Sequence, residues 1–170
     1  RSSAILYRSN AQSRVLEEAL IRAQIPYRIY GGQRFYERLE IRNALAYMRL
    51  LIRRSDDTAL ERVLNLPPRG IGNKTVEQLR DLARARQAPL WQAIVIAQDE
   101  LLFTSRALKA LSGFTALVDE LDSFTLELPL EELTEHVVAH SGLVEYHRAE
   151  KGERGQARVE NLEELVSAAK

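Results

Sequence analysis

Apolar residues recur at helical spacing along most of this chain, and the pattern changes character only near its start. From Leu39 to Ile52 the residues Ile41, Leu45, Met48, Leu51 and Ile52 form the stripe of an amphipathic helix. Ser55 or Asp56 is suited to cap a following helix through Leu60, Val63 and Leu64. Val76, Leu79, Leu82 and Ala83 give a further helix its buried face, and Pro89 opens one that carries Trp91, Ile94 and Val95. A long helix is predicted from about Ser105 to Ser123 and another from Pro129 to His140, ended by Ser141-Gly142. A charged, glycine-containing loop from Glu150 to Gln156 then precedes a last helix with Val159, Leu162, Leu165 and Val166.

The first thirty residues read differently. Ala4-Ile5-Leu6-Tyr7 has the pattern of a short buried strand, and Ser9 or Asn10 can cap a helix whose apolar face holds Val15, Leu16, Ala19, Leu20 and Ala23. Pro26 ends that helix, and Tyr27-Arg28-Ile29-Tyr30 reads as a second strand closed by Gly31-Gly32. Two parallel strands alone make a poor sheet, so their neighbours are expected from sequence outside this chain, which begins at Arg1 and reads as an excised segment. The fold class expected is mainly α, preceded by a partial βαβ unit.

One stretch departs from plain helical patterning: Leu66-Pro67-Pro68-Arg69-Gly70-Ile71-Gly72-Asn73-Lys74-Thr75. A helix is stopped by two prolines, the chain turns through two glycines around an isoleucine, and a helix restarts at Asn73. Glycines permit unusual backbone angles and let the main chain approach a ligand closely. The restarted helix offers unpaired N–H groups and the positive end of its dipole to an anion. Lys74 and Thr75 add a charge and a hydroxyl, and Ile71 can anchor the turn in the core. The pattern resembles the helix-hairpin-helix motif, which grips duplex phosphates; the plain alternative is an ordinary turn between helices. It is not a nucleotide-phosphate loop, because G-x-x-x-x-G-K-[ST] needs Gly directly before Lys and a preceding strand. Binding through main-chain amides should depend weakly on sequence and fall with salt.

Charge sharpens this picture. The 170 residues carry no net charge, yet residues 1–90 hold 17 Lys/Arg against 9 Asp/Glu and residues 91–170 hold 7 against 15. Such polarity brings an anionic partner to the first half, or else the arginines only solvate helix faces. The absence of cysteine excludes disulfides and thiolate metal sites and suits a cytoplasmic location. No apolar run reaches the roughly 20 residues of a membrane span, so no membrane partner is expected. His136 and His140 lie four apart, a spacing that fits one metal but more simply a surface pair; no metal site is assigned. Tyr7, Tyr27, Tyr30, Phe35 and Tyr36 interleave with Arg8, Arg28, Arg34 and Arg38, as in base-stacking surfaces and also at ordinary sheet edges. No arrangement of catalytic side chains stands out.

Taken in order, Ala4 through Arg14, Pro26 through Gly32, Phe35 through Ile41, the turn at Gly70–Thr75 and the run Glu150 through Leu162 resemble the UvrD/PcrA/Rep-type superfamily 1 DNA helicases, most of all the UvrD branch. The resemblance implies that residues 1–32 begin the second RecA-like motor subdomain (2A) and that 33–170 form most of the inserted helical domain (2B). It implies a duplex-engaging, regulatory domain of an ATP-dependent 3′ to 5′ helicase in repair or replication. DNA at a single-strand/duplex junction, the other helicase subdomains and DNA-repair proteins would be its partners. Gly70, Ile71, Gly72 and Thr75 match the family's duplex-holding turn; Arg69 and Lys74 are added on physical grounds. Arg8 and Asn10 match positions that touch single strand, and Arg154 and Arg158 are weaker duplex candidates. ATP and Mg²⁺ are implied for the longer protein, with no catalytic residue or cofactor in this piece, which should be inactive alone. The alternative is a free-standing DNA-binding or protein-interaction module without a motor.

Overall fold

The computed structural model describes residues 3–29 and 33–170, and for Asn10 the backbone alone. Among them the regular structure is wholly helical. A 3₁₀ turn at Asn10–Gln12 leads into α1 (Ser13–Arg22), and another at Phe35–Glu37 precedes α2 (Leu39–Ile52). Then follow α3 (Asp57–Val63), α4 (Asn73–Arg86), α5 (Leu90–Asp99), α6 (Ser105–Asp122), α7 (Leu130–His140), α8 (Leu143–Arg148) and α9 (Glu153–Ala168).

The architecture is built around α2, which packs against α3, α6, α7 and α9. Ile41, Tyr47 and Leu50 are fully buried on it, and Ala44 and Ala46 let neighbouring helices approach. A helix covered on several sides needs more than one apolar stripe. Ile52, which the periodicity assigns to the stripe, stays 87% exposed at the end of the helix. The next helix starts where the Asp56 carboxylate accepts the Ala59 N–H at 3.0 Å. That bond, with help from Arg49, holds the Asp56 carboxyl below its ordinary range. Glu61 on α3 accepts two hydrogen bonds from Arg80 on α4, at 2.7 and 2.8 Å, fixing the two helices against each other.

Three expectations are corrected. Ala4–Tyr7 and Tyr27–Ile29 form no strand among the described residues, because a strand exists only through a paired neighbour and these segments supply none to each other; Tyr30, Gly31 and Gly32 lie outside the described residues. The helix α1 turns its face around: Ser13 and Glu17 are buried, while Val15 and Ile21 are 55% and 61% exposed. Its polar side is drawn inward by α9, through Arg14 Nε to Glu164 at 2.6 Å, and by Arg38, whose guanidinium reaches Ser13 Oγ at 2.6 Å and Asn161 Oδ1 at 2.9 Å.

The third correction concerns the expected loop at 150–156, most of which is the first turn of α9, preceded by a short α8 that the pattern does not announce. Gly155 misleads because it marks a close approach rather than a loop. A Cβ there would run into the His147 carbonyl oxygen and lie 2.7 Å from that of Glu150. Both obstacles are backbone and cannot swing away. Gly155→Ala is therefore expected to cost about 2 kcal/mol or more of stability, despite alanine's better helix propensity, as measured by urea unfolding.

Candidate nucleic-acid interface

The turn between α3 and α4 is held from below and open above. Ile71 is 1% exposed and belongs to the main core. Asn65 works as a brace: its side-chain oxygen accepts the N–H of Arg69 at 2.7 Å and of Ile71 at 3.1 Å. The Leu66–Pro67 peptide bond is cis. Gly70 has φ +81°, a left-handed conformation that favours glycine, and it is exposed. Gly72 has φ −80° and ψ 168°, open to any residue, so the expectation that both glycines serve unusual angles holds only for the first.

Above this brace, donors are left over. Among the described residues the amides of Gly70, Gly72, Asn73 and Lys74 make no hydrogen bond, whereas those of Thr75 and Val76 donate to the Gly72 carbonyl at 3.0 and 3.2 Å. Gly72 has no side chain with which to cap α4, and no acidic residue sits in its first turn. The positive end of a 14-residue helix thus faces solvent unneutralised. Lys74 is exposed and has no ion-pair partner among the described residues, and Thr75 is half-buried beside it. The arrangement can bind an oxyanion through main-chain donors with one mobile ammonium near by.

Arg69 does something other than reach outward. Its guanidinium donates to the carbonyls of Val63 (3.3 Å), Pro67 (3.0 Å) and Ser141 (2.9 Å), and to the Tyr47 hydroxyl at 2.7 Å. The direct phosphate contact expected of it is replaced by a clamp, because carbonyls crowded where the chain reverses need a donor. Tyr47 completes the clamp by donating to the Leu66 carbonyl at 2.7 Å. Burial pushes its phenol up to about 12, with Arg69 opposing that shift. Sequence reasoning missed Asn65 and Tyr47; the signal for Asn65 was an amide acceptor directly ahead of Leu-Pro-Pro.

The other candidates are scattered. Arg8 is exposed near the 3₁₀ turn that Asn10 opens, remote in sequence from the Gly70 corner. Arg158 is committed to Glu150 at 2.6 Å, whereas Arg154 is exposed. Of the interleaved aromatics, Phe35 is buried, Tyr27 and Tyr36 donate to Glu17 and Glu18, and the Arg34 and Arg38 guanidinium groups lie over the Tyr27 and Phe35 rings; Tyr30 lies outside the described residues. His136 and His140 stack with centroids 4.1 Å apart, and Phe124 lies against His136 at 4.3 Å. No described helix is long and apolar enough to cross a membrane.

The clamp has a pH signature. The Tyr47 phenol is raised from 10.0 to about 12 in the folded chain, so the unfolded chain gives up this proton first as pH rises. Its stabilising contribution is complete below about pH 10 and is lost as pH climbs toward about 12, a loss of roughly 2 kcal/mol. Tyr47→Phe is expected to cost about 1–2 kcal/mol at neutral pH by leaving Arg69 and Leu66 short of a partner, and to flatten that part of the alkaline decline. Unfolding curves of both proteins from pH 8 to 12 measure the difference.

Comparison with known proteins agrees with the helicase resemblance. The profile of the UvrD-like helicase C-terminal domain matches residues 1–170. DNA helicase II of Haemophilus influenzae is 57% identical over 167 residues, covering 98% of this chain and 23% of that protein. DNA helicase II of Escherichia coli is 54% identical over the same length, and the ATP-dependent DNA helicase PcrA of Bacillus subtilis is 38% identical. The chain therefore spans about a quarter of the length of these relatives. By that full-length match, this chain belongs to the UvrD-like helicase C-terminal domain family.

Proposed function

We propose that this chain is the duplex-engaging and regulatory part of an ATP-dependent 3′ to 5′ DNA helicase, with α3, the Gly70–Gly72 turn and α4 acting as a helix-hairpin-helix on duplex phosphates. The observation that carries the reading is the set of four unsatisfied amides, at Gly70, Gly72, Asn73 and Lys74, exposed at an uncapped helix start. Phosphate oxygens supply the acceptors these donors lack. Gly72 supports it further. Its backbone does not require glycine, and a Cβ there would meet nothing within 4 Å, so the missing side chain serves close approach from outside. Lys74 adds long-range attraction, Thr75 a hydroxyl, Ile71 the anchor, and Arg69 positions the corner.

Residues 1–32 would begin a RecA-like motor subdomain, its βαβ unit completed by strands of the longer protein, and 33–170 would be the domain inserted into it. The exposed apolar residues Ile5, Leu6, Val15, Ile21 and Ile25 are in keeping with burial against that motor. Arg8 and Asn10 would then meet the single strand. The residues present do not fit a nucleotide site, since the phosphate-loop signature is absent from the sequence. ATP and Mg²⁺ would be held elsewhere in the longer protein, where the phosphoryl transfer takes place. DNA repair or replication, with repair proteins as partners, and a cytoplasmic setting follow as part of this proposal.

A fluorescence-anisotropy titration of the protein with labelled duplex DNA should give weak binding, insensitive to sequence and weakened by salt. Gly72→Val keeps the backbone angles within reach but puts a branched side chain over the donors, so it should lose most of the binding while melting like wild type. Equal binding by the two proteins would remove the turn from the account.

A further inference from the structure

We infer that the face of α6 carrying Arg106 and Lys109 is a second contact for the DNA backbone, across a cleft from the turn. This rests on the reading of the turn above and extends it to a surface that no sequence motif announces. An open cleft of about 530 Å³ has Arg69 and Gly70 on one wall and Arg106, Lys109, Ala110 and Gly113 on the other. The four α6 positions fall at i, i+3, i+4 and i+7, so they lie along one face of the helix. Two cations stand at its head, and two small residues leave room beside them.

Three observations favour a phosphate occupant. First, Arg106 and Lys109 are exposed, and among the described residues neither is in an ion pair or hydrogen bond. They come from residues 91–170, which hold only 7 Lys/Arg. In that stretch Arg148, Arg158 and Lys170 are each matched to a glutamate, while Lys151 and Arg154 are exposed near the start of α9, so Arg106 and Lys109 are the two unmatched cations on the cleft. Second, these charges oppose the helix dipole: α6 has no acidic residue in its first turn and no basic residue in its last. The acidic end is explained by Arg54, which pairs with Asp119 and Asp122 at 3.2 and 3.1 Å. The basic end has no such explanation within the fold. Third, Gly113 sits mid-helix, where glycine is unfavourable, and a Cβ there would meet nothing within 4 Å. Packing does not ask for it, whereas a sugar-phosphate chain passing along the cleft does.

Placed beside the amides of the turn, the α6 cations extend phosphate contact from one point to a line and so set the angle at which a duplex lies on the domain. Anisotropy titrations over a range of salt, with a labelled duplex of random sequence, test this. Compare wild type, Gly72→Val and the double variant Arg106→Gln/Lys109→Gln. The double variant should bind more weakly to every duplex, with the slope of log affinity against log salt shallower by about 2. Gly113→Leu provides an independent arm: it should melt at or above wild type, since leucine is the better helix former, yet bind duplex less well. If Gly72→Val loses binding while the double variant and Gly113→Leu match wild type in affinity and salt slope, α6 is excluded and the turn stands. If wild type binds no duplex, or Gly72→Val binds equally well, the reading of the turn fails and this inference with it.

Discussion

A chain that reverses direction between two helices must find donors for the carbonyls it leaves behind, and here a single guanidinium meets that need. Arg69 ties together the end of α3, the proline corner, the hydroxyl of Tyr47 on α2 and the carbonyl of Ser141 after α7. Elements far apart in sequence are thereby fixed to one planar group. Asn65 does the complementary task, accepting the amides of Arg69 and Ile71. With the Val63, Leu66 and Pro67 carbonyls satisfied in this way, the amides of Gly70, Gly72, Asn73 and Lys74 are left without an acceptor among the described residues. The set of unpaired amides is thus a consequence of how the turn is secured: a corner held by its own amides would have none to offer.

The same sharing of polar groups governs the start of the chain. Arg38, Asn161, Glu40, Ser13 and Glu17 are buried, and hydrogen bonds run from Arg38 to Asn161 and Ser13, from Asn161 to Glu40 and from Ser13 to Glu17. The Phe35 amide donates to Glu17 as well. A buried arginine is costly unless its donors are used, and desolvation does hold the Arg38 guanidinium below its ordinary pKa. The network orients α1 with Ser13 and Glu17 inward and leaves Val15 and Ile21 exposed.

How much of this was legible follows from what each signal measures. Periodicity reports burial, so the longer helices were placed closely: Leu39–Ile52 agrees end for end, and Ser105, Asn73 and His140 are helix limits as read. Periodicity fails where burial and polarity part company, as on α1, and where a segment is too short to show a period, as at α8. The turn was visible because proline and glycine act locally. Its true supports were not, since the bonds from Arg69 to Tyr47 and Ser141 span 22 and 72 positions. An arginine next to a glycine turn with free amides looks like a ligand contact until its neighbours in space are known. Arg106 and Lys109 were hidden for a related reason, lying in the acidic half of a chain whose charge asymmetry directs attention to the other.

Glycines separate the requirements of the fold from those of a ligand. Gly70 needs its positive φ, and Gly155 needs the space that a methyl group would take from two carbonyls. Among the described glycines, Gly72 and Gly113 alone have neither a positive φ nor a neighbour within 4 Å of a would-be Cβ. An alanine at Gly113 would favour the helix by about 1 kcal/mol, and a capping Asp or Ser at Gly72 would stabilise the start of α4 by a few tenths of a kcal/mol. Both positions forgo stability that the fold leaves open to them. What they share is a place on the surface beside unpaired donors, the amides at one and the α6 cations at the other. Forgone stability lies next to unspent donors on both sides of the Gly70 corner, and the proposed contact with a phosphate backbone accounts for both at once.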